Sequence, residues 1–362
     1  MPLINREISI LFVGMVSVYN GNSTSNHRYK ALTDIGYRVD FLDTTGDSNR
    51  YFSNLFYRIC NKLFNLGIPV LLPDIERNNV RLIEKISGNP YDLIWIEKNI
   101  LLNSETFDRI RLIRPKIKII GFSPDDMNAR HNQSANFLKS LSKYDCFITT
   151  KSYNVQELLA LGSPKAFFVN NGYDPDTFHP IENFQPKPDW NGNDICFIGT
   201  YEYDRAMYLY FLAEKGLIVN VFGNDWKKFP KAHKNLVLHF HPLYGEDFAM
   251  ACSYFRINLC FLRKMNRDLQ TTRSIEIPGS GGFMLAERSV EHEMLFSEGY
   301  EASYFSSEEE LFNKCVYYLK HEEERVLIAY RGLKKCKNSG YSNAHRIKRA
   351  LDEILPEMDL VH

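Results

Sequence analysis

The feature that most constrains this chain is an alternation of short apolar runs with helical stretches, and it occurs twice. In the first half, residues 8–13, 38–42, 92–96, 117–122, 146–149 and 166–169 read as strands. Stretches 27–35, 79–86, 104–113 and 136–141 between them read as helices. A second series begins near Asp194, with strands at 195–198, 218–222, 236–240, 257–262 and 283–285. Parallel neighbours need a crossover, and a helix is the compact way to make one. The pattern therefore specifies α/β architecture: doubly wound parallel sheets covered on both faces.

A chain of 362 residues is too long for one ordinary core and suits two such domains. The break falls in residues 180–193, a polar stretch holding Pro180, Pro186, Pro188 and Gly192. The expected organisation is a Rossmann-like domain over 1–182, a linker over 183–193 and a second Rossmann-like domain over 194–340. A C-terminal helix within 341–362 is able to pack back on the first domain. Helices are expected at 308–320, 322–337 and 342–355. Ligands of open α/β sheets sit at the carboxyl ends of strands and at domain interfaces, which predicts a central cleft between the two domains.

Bulk composition excludes several classes. Lys+Arg and Asp+Glu balance at 44 each, so no global field favours nucleic acid. Seven cysteines are scattered without a C-x-x-C pair, which indicates neither a disulfide framework nor a zinc site and suits a reducing cytoplasm. The apolar run 8–14 is too short to span a bilayer and lacks the layout of a signal peptide. A cytoplasmic protein is expected. The stretch 52–67, apolar with Arg58 and Lys62, has two readings. One is a core-facing amphipathic helix; the other is peripheral contact with the inner membrane face or a lipid-linked acceptor.

The most chemically suggestive stretch is 268–282, Asp268-Leu-Gln-Thr-Thr-Arg-Ser-Ile-Glu-Ile-Pro-Gly-Ser-Gly-Gly. It follows a strand-like run and carries two carboxylates, Asp268 and Glu276, eight positions apart, with Arg273 between them. On a helix entered from a strand, residues 269–272, Thr272 included, would offer free N–H groups to phosphate. Glu276, about two turns further in, would accept hydrogen bonds from ribose hydroxyls. Asp268 has a competing use as an N-cap. Gly281 and its neighbours permit a tight turn or close approach of backbone to a ligand.

Other candidates are weaker. Asp125 and Asp126 follow a strand end, where they can contact an acceptor hydroxyl as base, hold a metal or cap the next helix. His131 lies close enough to share their site. Gly14-Met-Val-Ser-Val-Tyr-Asn-Gly21 departs from the G-x-G-x-x-G of dinucleotide-binding strands and argues against a dehydrogenase. The next helix is expected to open at His27. His239 and His241 alternate on a predicted strand and face the same way. Without a matched carboxylate or cysteine they read as structural, and no metal is expected. Tyr244 stands where a nucleobase can stack.

The order and spacing of several segments resemble a known family across nearly the whole chain. These are Phe197-Ile-Gly-Thr200, Val221-Phe-Gly-Asn-Asp-Trp226, Leu238-His-Phe-His-Pro-Leu-Tyr-Gly245 and Asn258-Leu-Cys-Phe261. Arg273-Ser-Ile-Glu276, Leu295-Phe-Ser-Glu-Gly299 and Ser307-Glu-Glu-Glu-Leu311 continue the pattern. Ser123-Pro-Asp-Asp126 and Asn171-Gly-Tyr-Asp-Pro-Asp-Thr-Phe-His-Pro180 fit in the first half. Together they resemble GT-B glycosyltransferases of the group 1 type, specifically the spore-maturation CgeB-like group. The resemblance implies a hexosyltransferase using a nucleotide-diphosphate sugar as co-substrate, with no cofactor and no metal. Its acceptor would be a saccharide, lipid-linked or protein hydroxyl in surface glycan or polysaccharide synthesis. Glu276 matches the second of two glutamates that retaining relatives carry eight positions apart; Asp268 stands in place of the first and is a shorter acid. Arg205, Lys264 and Arg273 become the diphosphate candidates, with Gly199 at the opening of the donor domain. Two alternatives stay open: a nucleotide-sugar epimerase on the same fold, and a non-catalytic assembly protein.

Overall fold

The computed structural model describes residues 8–17, 21–190 and 192–356. The chain divides into two compact units, Met1–Asn170 with Asn343–His362, and Asn171–Ser342. The division comes earlier than the proline-rich segment suggests, because residues 171–173 are tied to the second unit. The Asn171 amide donates to Gln270 Oε1 at 3.0 Å, and the Tyr173 amide to the Tyr341 carbonyl at 3.2 Å.

The first unit holds β1 (Ser9–Gly14), β2 (Arg38–Asp43), β3 (Leu93–Glu97), β4 (Lys118–Ser123), β5 (Cys146–Thr149) and β6 (Ala166–Phe168). All pair in parallel in the order β2-β1-β3-β4-β5-β6. Successive residues of each strand feed opposite cores. Leu11, Val13, Ile94 and Ile96 enter one cluster, and Ile10, Phe12, Leu93 and Trp95 the other. The second cluster is closed by Ile347, Ala350, Leu351 and Ile354 of the C-terminal helix Asn343–Ile354, which packs beside the helix Thr24–Asp34. The latter begins before His27, because Ser23 Oγ accepts the Asn26 amide at 3.0 Å and fixes the start there. Residues 18–20 of the preceding loop lie outside the described residues.

The second unit holds β7 (Ile195–Ile198), β8 (Val219–Phe222), β9 (Leu236–Leu238), β10 (Ile257–Cys260), β11 (Met284–Glu287) and β12 (Ser303–Phe305). Their order is β9-β8-β7-β10-β11-β12, again all parallel. This is the doubly wound arrangement whose order reverses between β7 and β10, the place where such sheets bind ligands. Each face is again buried, with Ile195 and Phe197 on one side and Cys196 and Ile198 on the other. The three-residue β12 carries too little pattern to be read from sequence. β9 is shorter than expected because Phe240 takes a left-handed conformation (φ 54).

The stretch 52–67 is not one helix. Asn54 breaks it and caps the second part, accepting the Tyr57 amide at 2.8 Å, so the helices are Ser48–Ser53 and Leu55–Asn65. Cys60 and Phe64 face a small core with Leu72, while Leu55, Phe56 and Ile59 are exposed. No described helix is long and apolar enough to cross a membrane.

Candidate active site

A pocket of about 190 Å³ opens at the reversal point of the second sheet. It is lined by the ends of β7 and β10 (Phe197, Gly199, Thr200, Cys260) together with Arg205, Arg263, Thr271 and Arg273. Three arginines on so small a concavity make it suited to a polyanion. Gly199 lines it where the ends of β7 and β8 approach closely: a side chain on Gly223 would place Cβ 2.0 Å from the Gly199 carbonyl oxygen.

Arg205 is 6 % exposed on the helix Tyr203–Glu214. It donates through Nη2 to the Thr200 carbonyl, lies 3.5 Å from Glu202, and sits over the Phe197 ring. Its Nε is buried with no hydrogen-bond partner among the described residues. Burial pushes its pKa down, against the pull of Glu202. An orphan guanidinium N–H at the wall of a pocket is costly unless something outside the chain accepts from it.

The helix Arg273–Gly279 starts later than the sequence suggests, so Glu276 lies in its first turn, not two turns in. Thr272 is its N-cap and Asp268 is not. Asp268, 8 % exposed, accepts instead from Asn266 Nδ2 at 2.8 Å within the loop. Of the amides expected to be free, that of Thr271 is taken: it donates to Ser274 Oγ at 3.0 Å. Glu276 is 2 % exposed and accepts from Arg273 Nη1 at 2.5 Å, while the Arg273 guanidinium lies 4.0 Å above the Phe248 ring. The helix ends at a turn in which Gly281 is left-handed (φ 79). Gly281 packs on Pro180 there and does not line the pocket.

Asp268, Thr272 and Glu276 do not themselves line the pocket, and neither do Lys264 and Tyr244. Lys264 is two-thirds exposed and pairs with Asp204 at 2.9 Å, and that hydrogen bond raises its pKa. Its neighbour Arg263, bound to Glu202 Oε1 at 2.8 Å, lines the pocket in its place. Tyr244 is half-buried, directly before the helix Gly245–Tyr254.

Sequence reasoning missed the buttress behind the pocket loop. Ser274 Oγ donates to His292 Nε2 at 2.7 Å, and His292 Nδ1–H donates to the Glu287 carbonyl at 2.7 Å. Burial pushes the His292 imidazole down to about 4, so the ring is neutral and acts as acceptor. Gln270, fully buried, donates to Glu291 Oε2 at 2.7 Å and accepts from the Asn171 amide. Ser289 Oγ holds the Leu269 carbonyl at 2.5 Å. The available signal was the polar run Ser289, Glu291, His292 just beyond a strand end.

In the first unit, Asp125, Asp126 and His131 come together beyond β4. Lys98, unmarked in the sequence, bridges Asp125 Oδ2 at 2.5 Å and Asn132 Oδ1 at 2.8 Å. Asn132 Nδ2 in turn contacts the Asp126 carbonyl at 2.9 Å and His131 Nε2 at 3.3 Å. The two aspartates differ. Asp126 is fully buried, its Oδ1 accepting from the Asn128 amide at 3.0 Å and Asn154 Nδ2 at 2.9 Å. It is a turn-forming residue. The Asp125 side chain is about a quarter exposed. Nearby, Arg28 and Glu97 form a buried bidentate pair at 2.9 and 2.5 Å.

Residues 205–352 match the sequence profile of a family described as glycosyl transferase-like. No curated protein sequence matches the chain. Among solved structures, a sucrose-phosphate synthase from Thermosynechococcus elongatus is similar at TM-score 0.62 and 10 % identity, covering 97 % of this chain and 100 % of that one. Anabaena HepE, in complex with UDP and glucose, is similar at TM-score 0.62 and 12 % identity over 97 % and 100 % of the two chains. A protein described as a candidate UDP-N-acetylglucosamine 2-epimerase from Listeria monocytogenes is similar at TM-score 0.53 and 12 % identity, over 98 % and 97 %. At these identities the likeness establishes the fold: two Rossmann-like domains of the GT-B class.

Proposed function

We propose that the chain is a glycosyltransferase that takes a sugar from a nucleotide-diphosphate donor held in the pocket between the ends of β7 and β10. The observation that carries this reading is Arg205, whose buried Nε has no hydrogen-bond partner among the described residues, on the wall of a pocket that Arg263 and Arg273 also line. A diphosphate leaving group develops negative charge as the glycosidic bond breaks. Preorganised guanidinium donors stabilise that charge, so the reaction proceeds without a metal at this site. Glu276 receives the ribose hydroxyls beside Arg273, and the Thr272 amide approaches the phosphates, while the Gly199 amide is held by the Phe222 carbonyl at 2.9 Å and Gly199 serves as pocket wall. Asp268 contacts the transferred sugar, at a distance set by its short side chain. The match of 205–352 to a glycosyl transferase-like profile supports transfer chemistry, and HepE with UDP and glucose supports a UDP-sugar donor.

Asp125 is the acceptor-side carboxylate, positioned by Lys98 and assisted by His131, and the acceptor is a hydroxyl of a saccharide, lipid-linked glycan or protein. Seven free, buried cysteines suit work in a reducing cytoplasm. The exposed Leu55, Phe56 and Ile59 suit transient contact with a lipid-linked acceptor at the membrane face. The Listeria neighbour keeps epimerisation as the second reading, distinguished by turnover of donor with no acceptor.

The test is thermal stabilisation by a panel of nucleoside diphosphates and nucleotide sugars, run on the native chain and Glu276→Ala. A ligand that binds only the folded state raises stability with occupancy. One base should give a shift that the variant loses. No shift with any member would exclude a donor site of this kind.

A further inference from the structure

Three ligand-type side chains outside the pocket converge beside β8. Asp189 comes from the proline-rich segment, and His239 and His241 from just beyond β9. Asp189 Oδ2 lies 3.2 Å from His239 Nδ1 and 3.6 Å from His241 Nε2, and the three ligand atoms lie within 4.8 Å of one another. At zinc–ligand distances near 2.0–2.1 Å, the corners of a tetrahedron stand roughly 3.3–3.4 Å apart. The two contacts bracket that spacing.

Both rings are oriented through their other nitrogen. His239 Nε2–H donates to Asn220 Oδ1 at 3.0 Å, with Asn220 fully buried on β8. His241 Nδ1–H donates to the Pro242 carbonyl at 3.4 Å. Metal-binding histidines are held in this way, with the outer N–H on an oxygen so that the inner lone pair faces the ion. In this tautomer His239 turns a lone pair toward a carboxylate oxygen. Two lone pairs at 3.2 Å repel unless a proton or cation lies between them. The ring is immobilised against Phe222, with centroids 4.0 Å apart and planes 6° apart. Asp189 is held by its neighbour Trp190, buried against Phe222 and Phe255. The carboxylate missing from the sequence pattern is thus supplied from 50 positions away.

We propose that Asp189, His239 and His241 bind one divalent transition ion of the zinc type, with water completing a tetrahedral shell. Two imidazoles and one carboxylate suit zinc and disfavour magnesium, which requires oxygen ligands. The ion pins the proline-rich segment to the edge of the second sheet. None of its ligands lines the donor pocket, so its role is stabilising and the diphosphate chemistry proceeds without it.

The test uses the full chain without an affinity tag, stripped with a chelator and dialysed against Zn²⁺. Asp189→Asn and His241→Ala change half-exposed side chains. The native protein should retain one equivalent of zinc and gain thermal stability from it, with tetrahedral visible bands when Co²⁺ replaces Zn²⁺. Each variant should bind at least about tenfold more weakly, a loss typical of disturbed metal sites. Nucleoside diphosphate affinity should be the same in all three proteins. Equal zinc affinity and stoichiometry in native chain and variants, or no retained zinc in the native chain, would overturn the site.

Discussion

Arg273 and Glu276 are paired across one helical turn: Nη1 lies 2.5 Å from Oε2, with the carboxylate 2 % exposed and the guanidinium stacked over Phe248. The pair does two jobs at once. It balances a carboxylate that would be costly to bury alone, and it points Arg273 along the pocket wall. A carboxylate has two oxygens, so pairing through Oε2 leaves Oε1 for a sugar hydroxyl.

Glu276→Gln keeps the shape of this residue and removes its charge. Arg273 then loses its anchor and, on the function proposed above, the ribose loses an acceptor. Binding of the preferred nucleoside diphosphate should weaken at least tenfold, about 1.4 kcal/mol. Titration calorimetry on the two proteins checks this, and native affinity in the variant removes Glu276 from the donor site.

Arg205→Lys isolates the orphan donor. Lysine keeps a positive charge near the Thr200 carbonyl but has no Nε–H at the guanidinium position. Affinity for the nucleoside diphosphate should fall by roughly tenfold or more, the scale of one charge-assisted hydrogen bond. Affinity for the corresponding nucleoside should barely change. A uniform loss for both ligands would mean that the residue acts through packing on Phe197.

The two alternating series were legible because a buried parallel sheet needs near-continuous apolar strands. Ile195–Ile198 and Cys146–Thr149 appear where they were read. Helix starts were less legible, because capping overrides periodicity: Ser23 moves one start back to Thr24, and the Ser274 hydroxyl on the Thr271 amide holds another forward at Arg273. Arg273 was singled out between the two carboxylates of 268–282 and Arg205 through the family resemblance, and both line the pocket. Lys98, Arg263, Gln270 and His292 were not singled out, since their partners lie 18 or more positions away in sequence. The same limit applies to the reading of His239 and His241. They were expected to share a strand face, yet the strand stops at Leu238, and what unites them is Asp189.

His292 makes stability depend on pH in a defined window. Burial holds its folded pKa at about 4, against an ordinary value of 6.5. Between these values the unfolded chain binds the proton and the folded chain does not. The contribution is therefore fully present above about pH 6.5 and is lost as pH falls toward 4, by roughly 3 kcal/mol in all. His292→Gln should be less stable at neutral pH, because Ser274 and the Glu287 carbonyl lose their shaped partner, yet flatter between pH 6.5 and 4. Urea midpoints across that range decide it, and parallel pH profiles would show that His292 does not carry the dependence.

Asp125 and Asp126 are adjacent in sequence and opposite in environment, which gives each its own outcome. Asp126 accepts two hydrogen bonds in full burial, so Asp126→Ala leaves the Asn128 amide without this acceptor and Asn154 Nδ2 with Glu157 Oε2 alone. It should lose roughly 2 kcal/mol of stability. Asp125 is partly exposed and bound to Lys98, so Asp125→Asn should leave the denaturation midpoint within about 0.5 kcal/mol of native. If Asp125 handles the acceptor proton, the same variant should slow donor turnover by about 100-fold or more, the usual scale of a lost general base. Nucleoside diphosphate affinity should be unchanged, because Asp125 does not line the pocket proposed for the donor. Rates of nucleoside diphosphate release, set beside binding constants for both variants, separate the two roles. Native turnover in Asp125→Asn would move the acceptor base elsewhere in the first unit.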